Sequence, residues 1–142
     1  MKKHLTGVIA GSIVLFTALT AGAAEIAGGF VIGEPTGFSL RIDRFPVLGF
    51  GWALSHDWMY VTCDYWLINK PIPDAAPVYW YFGVGGALGA GNEGFLGCRV
   101  PIGLQAVFNR RLEFFGELAP ILGLIPDVGL FANGGIGFRY IF

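Results

Sequence analysis

From about residue 26 onward, bulky apolar residues alternate with small or charged ones at a period of two. That is the period of a β-strand, whose successive side chains leave opposite faces. In the last stretch Ile136, Phe138, Tyr140 and Phe142 share one parity, and Asn133, Gly135, Gly137 and Arg139 the other. The same division sets Phe38, Leu40 and Ile42 against Ser39, Arg41 and Asp43, and Leu48, Phe50, Trp52 and Leu54 against Gly49, Gly51 and Ala53. Met59, Val61, Cys63, Tyr65 and Leu67 oppose Tyr60, Thr62, Asp64 and Trp66. Further strands follow around Val78–Leu88, Cys98–Phe108 and Leu112–Leu118. Reversals are expected at Glu34-Pro35-Thr36-Gly37, Arg44-Phe45-Pro46, Ser55-His56-Asp57, residues 69–77 with three prolines, residues 89–94, and Asn109-Arg110-Arg111. Ala119 to Leu130, with Pro120, Pro126 and Asp127, reads as a longer connection. Pro101 lies inside a strand and predicts a bulge, since it cannot donate to a ladder.

This pattern gives eight strands, and the occupants of the second face decide their arrangement. Gly29, Gly33, Gly49, Gly51, Gly83, Gly85, Gly103, Gly135 and Gly137 stand there, among Arg41, Asp43, Asp64, Arg99, Glu113, Glu117 and Arg139. Glycine weakens a solvated sheet face, but it suits the interior of a narrow closed barrel. Three arginines beside four carboxylates can neutralise one another in such a lumen. The bulky face then points at lipid, where a lone charge costs roughly 2–4 kcal/mol at mid-bilayer. The expected fold is all-β: an eight-stranded antiparallel up-and-down transmembrane β-barrel. Trp52, Tyr65, Trp80, Tyr140 and Phe142 are expected at the membrane interfaces. A secreted β-sandwich with a glycine-rich sheet is the alternative.

Composition and the first residues sharpen this. Lys2 and Lys3 precede an apolar run that ends at Ala21-Gly22-Ala23, the pattern of a secretory signal peptide over 1–23. The barrel then occupies 24–142. An uncleaved anchor is the competing reading, although the run is short for a spanning helix. The chain is 54% hydrophobic and 13% charged, with 23 glycines and a mean hydropathy of +0.62. Without Lys2 and Lys3, seven basic and ten acidic residues remain, so nucleic acid is not an expected partner. Cys63 and Cys98 fall on strands with another strand between them, too far apart for a disulfide, and no metal-ligand spacing occurs. No metal or cofactor is expected.

A strand of this kind ending on Phe142 resembles the closing strand of bacterial outer-membrane barrels. The whole of 24–142 is similar to the small eight-stranded barrels of the OmpA and OmpX kind. More narrowly it resembles a family of uncharacterised outer-membrane barrel proteins, through Gly33-Glu34-Pro35-Thr36-Gly37, Arg99-Val100-Pro101-Ile102-Gly103-Leu104, Glu117-Leu118-Ala119-Pro120 and Asn133–Tyr140. The resemblance implies the bacterial outer membrane as location, the barrel-insertion machinery and outer-membrane lipid as partners, and Phe138, Tyr140 and Phe142 as a C-terminal insertion signal. It carries no activity with it.

The functional expectation is a monomeric, non-enzymatic barrel with a structural or surface-interaction role and a side-chain-filled lumen, not an open pore. Two other classes compete. Ser55, His56 and Asp57 carry the residue types of a hydrolase, which would make an outer-leaflet lipid-modifying enzyme. However, three consecutive turn residues point apart, whereas catalysis needs them to converge. A soluble periplasmic ligand-binding barrel is the third class.

Overall fold

The computed structural model describes residues 24–54, 58–91 and 94–142. The signal-peptide segment 1–23 and Ser55-His56-Asp57 lie outside the described residues. All regular structure described is β: β1 (Ile26–Glu34), β2 (Thr36–Ile42), β3 (Val47–Ala53), β4 (Trp58–Pro71), β5 (Val78–Ala90), β6 (Phe95–Arg99), β7 (Ile102–Phe108), β8 (Leu112–Ile125) and β9 (Gly129–Ile141). Every pairing is antiparallel, and β9 closes on β1. β6 and β7 are two halves of one wall strand, both lying between β5 and β8. The nine segments therefore make an eight-stranded up-and-down closed barrel.

Register fixes the barrel's geometry. Starting from Ala27, successive partners are Arg41, Val47, Asp64, Gly85, Arg99, Ile121 and Phe131. Ala27 itself pairs with Ile141, so one circuit climbs from 141 to 131, a shear of 10. Shear of this size on eight strands tilts them strongly, roughly 35–45° to the barrel axis, and leaves an interior that side chains can fill.

Alternation puts the bulky parity outside. Phe30, Phe38, Phe50, Ile102, Leu104, Phe114, Leu118, Ile136 and Phe138 are all exposed, while Arg41, Asp64, Arg99, Glu113 and Arg139 are buried in the lumen. Trp52, Tyr65, Trp80, Tyr140 and Phe142 stand on the outer face as well. Cys63 and Cys98 are free and exposed there, each paired with Gly86 from opposite sides.

Three expectations need correction. First, 119–130 is not a connection: β8 runs to Ile125 and β9 starts at Gly129. Ala119, Ile121 and Gly123 are buried and alternate with exposed Pro120, Leu122 and Leu124, so the two-faced pattern continues through the proline. Pro120 is tolerated because its missing N–H faces an interruption in the neighbouring strand. Second, that interruption, at Val100–Pro101, is not a bulge. Gly85 pairs with Arg99 and Phe82 with Ile102 in one unbroken register. Only the hydrogen bonding lapses: Gly83 N–H donates to the Pro101 carbonyl at 2.9 Å and Val100 N–H to the Pro120 carbonyl at 3.0 Å, with no reciprocal donor from either proline. Register shifts occur instead at Trp66/Ile68 and Leu96/Gly97. Third, Asp43 does not face the lumen. β2 ends at Ile42, and Asp43 sits exposed in the following turn with φ 49°, a left-handed conformation that aspartate tolerates better than most residues.

Candidate functional site

Away from the strand ends and turns, the charged residues all lie inside the barrel, which makes the lumen the candidate site. Its lower part, toward the end where β1 starts and β9 finishes, centres on Glu113. This carboxylate is fully buried and lies between two guanidinium groups. Its Oε2 accepts from Arg41 at 2.6 Å and its Oε1 from Arg139. Arg41 also donates to Glu25 at 2.6 Å and to the Asp43 carbonyl oxygen at 3.1 Å. Arg139 Nε donates to Ser39 Oγ at 2.9 Å. The register makes this possible: Glu113 and Arg139 are directly paired on β8 and β9, and Ser39 and Arg139 flank Gly29 from opposite sides.

Aromatic rings complete this lower plug. Trp66 and Tyr81 stack at 4.1 Å and 17°, and both are fully buried. Arg41 and Arg139 lie 5.4 and 5.8 Å from the Trp66 ring centroid, and Arg139 lies 3.8 Å from that of Phe115. Cations over aromatic faces gain more where water is excluded. Tyr81 Oη donates to Glu117 at 2.8 Å, Glu117 also accepts from Arg99, and Arg99 Nε lies 3.1 Å from Asp64 Oδ1. The polar groups thus form two sets, Glu25–Arg41–Glu113–Arg139–Ser39 near the mouth and Tyr81–Glu117–Arg99–Asp64 at mid-height, joined through the Trp66–Tyr81 stack.

The upper lumen is of another kind. Ala53, Tyr60, Ala87, Phe95 and Ile121 form a buried apolar cluster. Phe95 meets Tyr60 edge-on at 6.0 Å and Phe131 at 5.5 Å. It reaches across Gly97 and Gly123, where an added Cβ would come within 2.9 Å of its ring. Between the two plugs a cavity of only about 60 Å³ remains, lined by Ser39, Thr62, Asp64, Arg99, Glu117, Asn133 and Arg139 among others. Glycine makes the filling possible. A Cβ at Gly103 would overlap the Tyr81 ring, one at Gly85 the Asp64 carboxylate, and one at Gly29 the Phe138 carbonyl of the neighbouring strand.

Of the seven lumen residues expected from the sequence, six come together: Arg41, Asp64, Arg99, Glu113, Glu117 and Arg139. Asp43 stands outside, and Glu25, which precedes β1, takes the fourth acidic place. Ser39, Tyr81 and Trp66 belong to the network too; parity had placed them inward without signalling their contacts. Ile121 fell in the stretch read as a connection, and Phe95 fell between the reversal at 89–94 and the strand read from Cys98, so neither was expected in the lumen. Phe138, Tyr140 and Phe142 are exposed in a row on the outer face at the end of β9. Among the described residues, no three His, Cys, Asp or Glu side chains are grouped as a metal ion would need.

No family model matches this chain, and neither a curated protein nor a solved structure does. The likeness to small outer-membrane barrels therefore stands on architecture alone.

Proposed function

We propose that this protein is an integral barrel of the bacterial outer membrane, with a structural or surface-interaction role and a closed lumen. The observation that carries this reading is the outer surface. On the outward parity of the described strands, Asp, Glu, Lys or Arg stands only at strand ends, with Glu34 closing β1 and Lys70 beside Trp80 near the end of β4; the band between is free of them. A soluble monomer seldom exposes a contiguous apolar patch above roughly 300–600 Å², whereas this apolar surface encircles the barrel. Hydrocarbon is the solvent such a surface fits, and a closed barrel is one of the two backbone arrangements that can cross it.

The role is neither a pore nor an enzyme. Ion-paired and aromatic plugs occupy the lumen, and its charged groups are engaged with one another rather than presented to a substrate. Exposed Phe138, Tyr140 and Phe142 form the signal read by the insertion machinery, and the barrel works as a monomer in outer-membrane lipid.

The two native cysteines test the membrane reading. Spin labels on Cys63 in Cys98→Ala protein, and on Cys98 in Cys63→Ala protein, should sense dissolved oxygen strongly and a water-soluble nickel chelate weakly in reconstituted vesicles. The reverse pattern, or release of the protein from membranes by a carbonate wash, would overturn it. Purified protein in planar bilayers should give no stable conductance steps.

A further inference from the structure

Charge is divided unequally between the two ends of the barrel. Among the described residues, the basic side chains outside the lumen are Arg44, Lys70, Arg110 and Arg111, all at the end where β1 starts and β9 finishes. Glu25, Asp43 and Asp74 share that end, Glu25 being paired with Arg41, whereas the β7–β8 turn carries Arg110 and Arg111 with no carboxylate. At the opposite end the described charged residues are Glu34, at the tip of β1, and Asp127, between β8 and β9, with no Lys or Arg among them. A surface of the first kind attracts anionic headgroups, and one of the second kind repels them.

The basic end also has an apolar groove leading away from it. On the outer face of β7, β8 and β9, Ala106 and Gly116 are small where their neighbours are large. Between Phe114 and Phe138 on one side and Leu104 and Ile136 on the other they leave a groove of about 520 Å³. That volume is within the range of small-molecule sites, roughly 300–1,000 Å³. Its two small residues step diagonally, Ala106 opposite Phe114 and Gly116 opposite Leu104. Beyond one further outward row, Phe108, Leu112 and Tyr140, lies the β7–β8 turn with Arg110 and Arg111. Arg111 is held against the outside of the wall: its guanidinium lies 6.0 Å from the ring centroid of outward-facing Tyr140 and 3.5 Å from its hydroxyl. Tyr140 is the next outward residue below Phe138 on β9.

We propose that this groove binds one acyl chain of an anionic phospholipid whose phosphate rests on Arg110 and Arg111. The site deepens the membrane reading given above and rests on it. Gly116 offers a clean way to fill the groove, because an added Cβ would meet only Ile136, at 3.7 Å, an ordinary contact.

The test is lipid retention by carbonate-resistant protein, extracted in mild detergent and incubated with equal phosphatidylglycerol and phosphatidylethanolamine before native mass spectrometry. Wild type should retain phosphatidylglycerol preferentially. Arg110→Gln/Arg111→Gln should lose that preference, by roughly fivefold per arginine, while still binding a lipid chain. Gly116→Phe should lose both lipids, while its heat-modifiable gel migration stays that of wild type. Equal retention of the two headgroups by wild type, or undiminished retention by Gly116→Phe, would overturn the proposal. A carbonate wash that releases the protein removes the membrane reading itself. A resistant protein with no preference removes only the lipid site.

Discussion

The lower and upper halves of the lumen solve the same filling problem with opposite chemistry. Around Glu113, space is occupied by paired charges stacked on rings; around Phe95, by apolar side chains alone. An ionic plug tolerates no vacancy, because removing one partner leaves a buried charge without compensation. An apolar plug loses contact area in proportion to what is removed. The contrast teaches that similar burial can hide different sensitivity to substitution, and variants at the two plugs can break or sharpen it.

The largest effect is expected for Glu113→Ala, which leaves Arg41 and Arg139 facing each other, both nearly inaccessible. A loss toward the top of the roughly 3–5 kcal/mol seen for broken buried pairs should appear in urea titrations followed by the folded-to-unfolded gel shift. Replacing Arg41, Glu113 and Arg139 together by Met, Leu and Met should restore most of it. A triple variant as unstable as the single one would show that the charges are required rather than merely mutually dependent. Phe95→Ala should cost less, near the bottom of roughly 3–5 kcal/mol for a large-to-small change, since it borders the mouth and Phe131 can move inward. If it equals Glu113→Ala, the contrast between the plugs is lost.

Gly103→Ala tests crowding rather than charge. Its methyl group would overlap the Tyr81 ring, and overpacking of this kind costs roughly 1–3 kcal/mol on the same urea assay. Last, Asp43→Asn should change stability by less than roughly 0.5 kcal/mol. The residue is exposed, its Oδ1 only accepts from the Glu25 N–H at 2.9 Å, and asparagine suits the same left-handed backbone.

How much of this was legible in the sequence depended on what each residue signals locally. Parity alone separated Ile136, Phe138 and Tyr140 from Gly135, Gly137 and Arg139, so the barrel and six luminal charges could be read directly. A proline speaks with the same voice whether it ends a strand or sits opposite a gap in one, so Pro120 concealed the upper half of β8. Phe95 stands between the reversal at 89–94 and the alternation that is clear only from Cys98, so nothing local assigns it a face until the hairpin carries it inside. Asp43 kept the correct parity but lay one residue beyond the end of its strand, where parity no longer sets direction. The pairing of Glu113 with two arginines depends on a register between strands far apart in sequence. Nothing local to Arg41 announces it.

The half-made rungs at Gly83–Pro101 and Val100–Pro120 have a mechanical consequence. They lie side by side where the strand comprising β6 and β7 passes from the apolar plug to the ionic one, so the thinnest seam of amide bonding coincides with the boundary between two kinds of filling. Breathing of the wall should begin on that line, and deuterium should enter the Val100 and Gly83 amides before it reaches the fully laddered residues of β4 and β9.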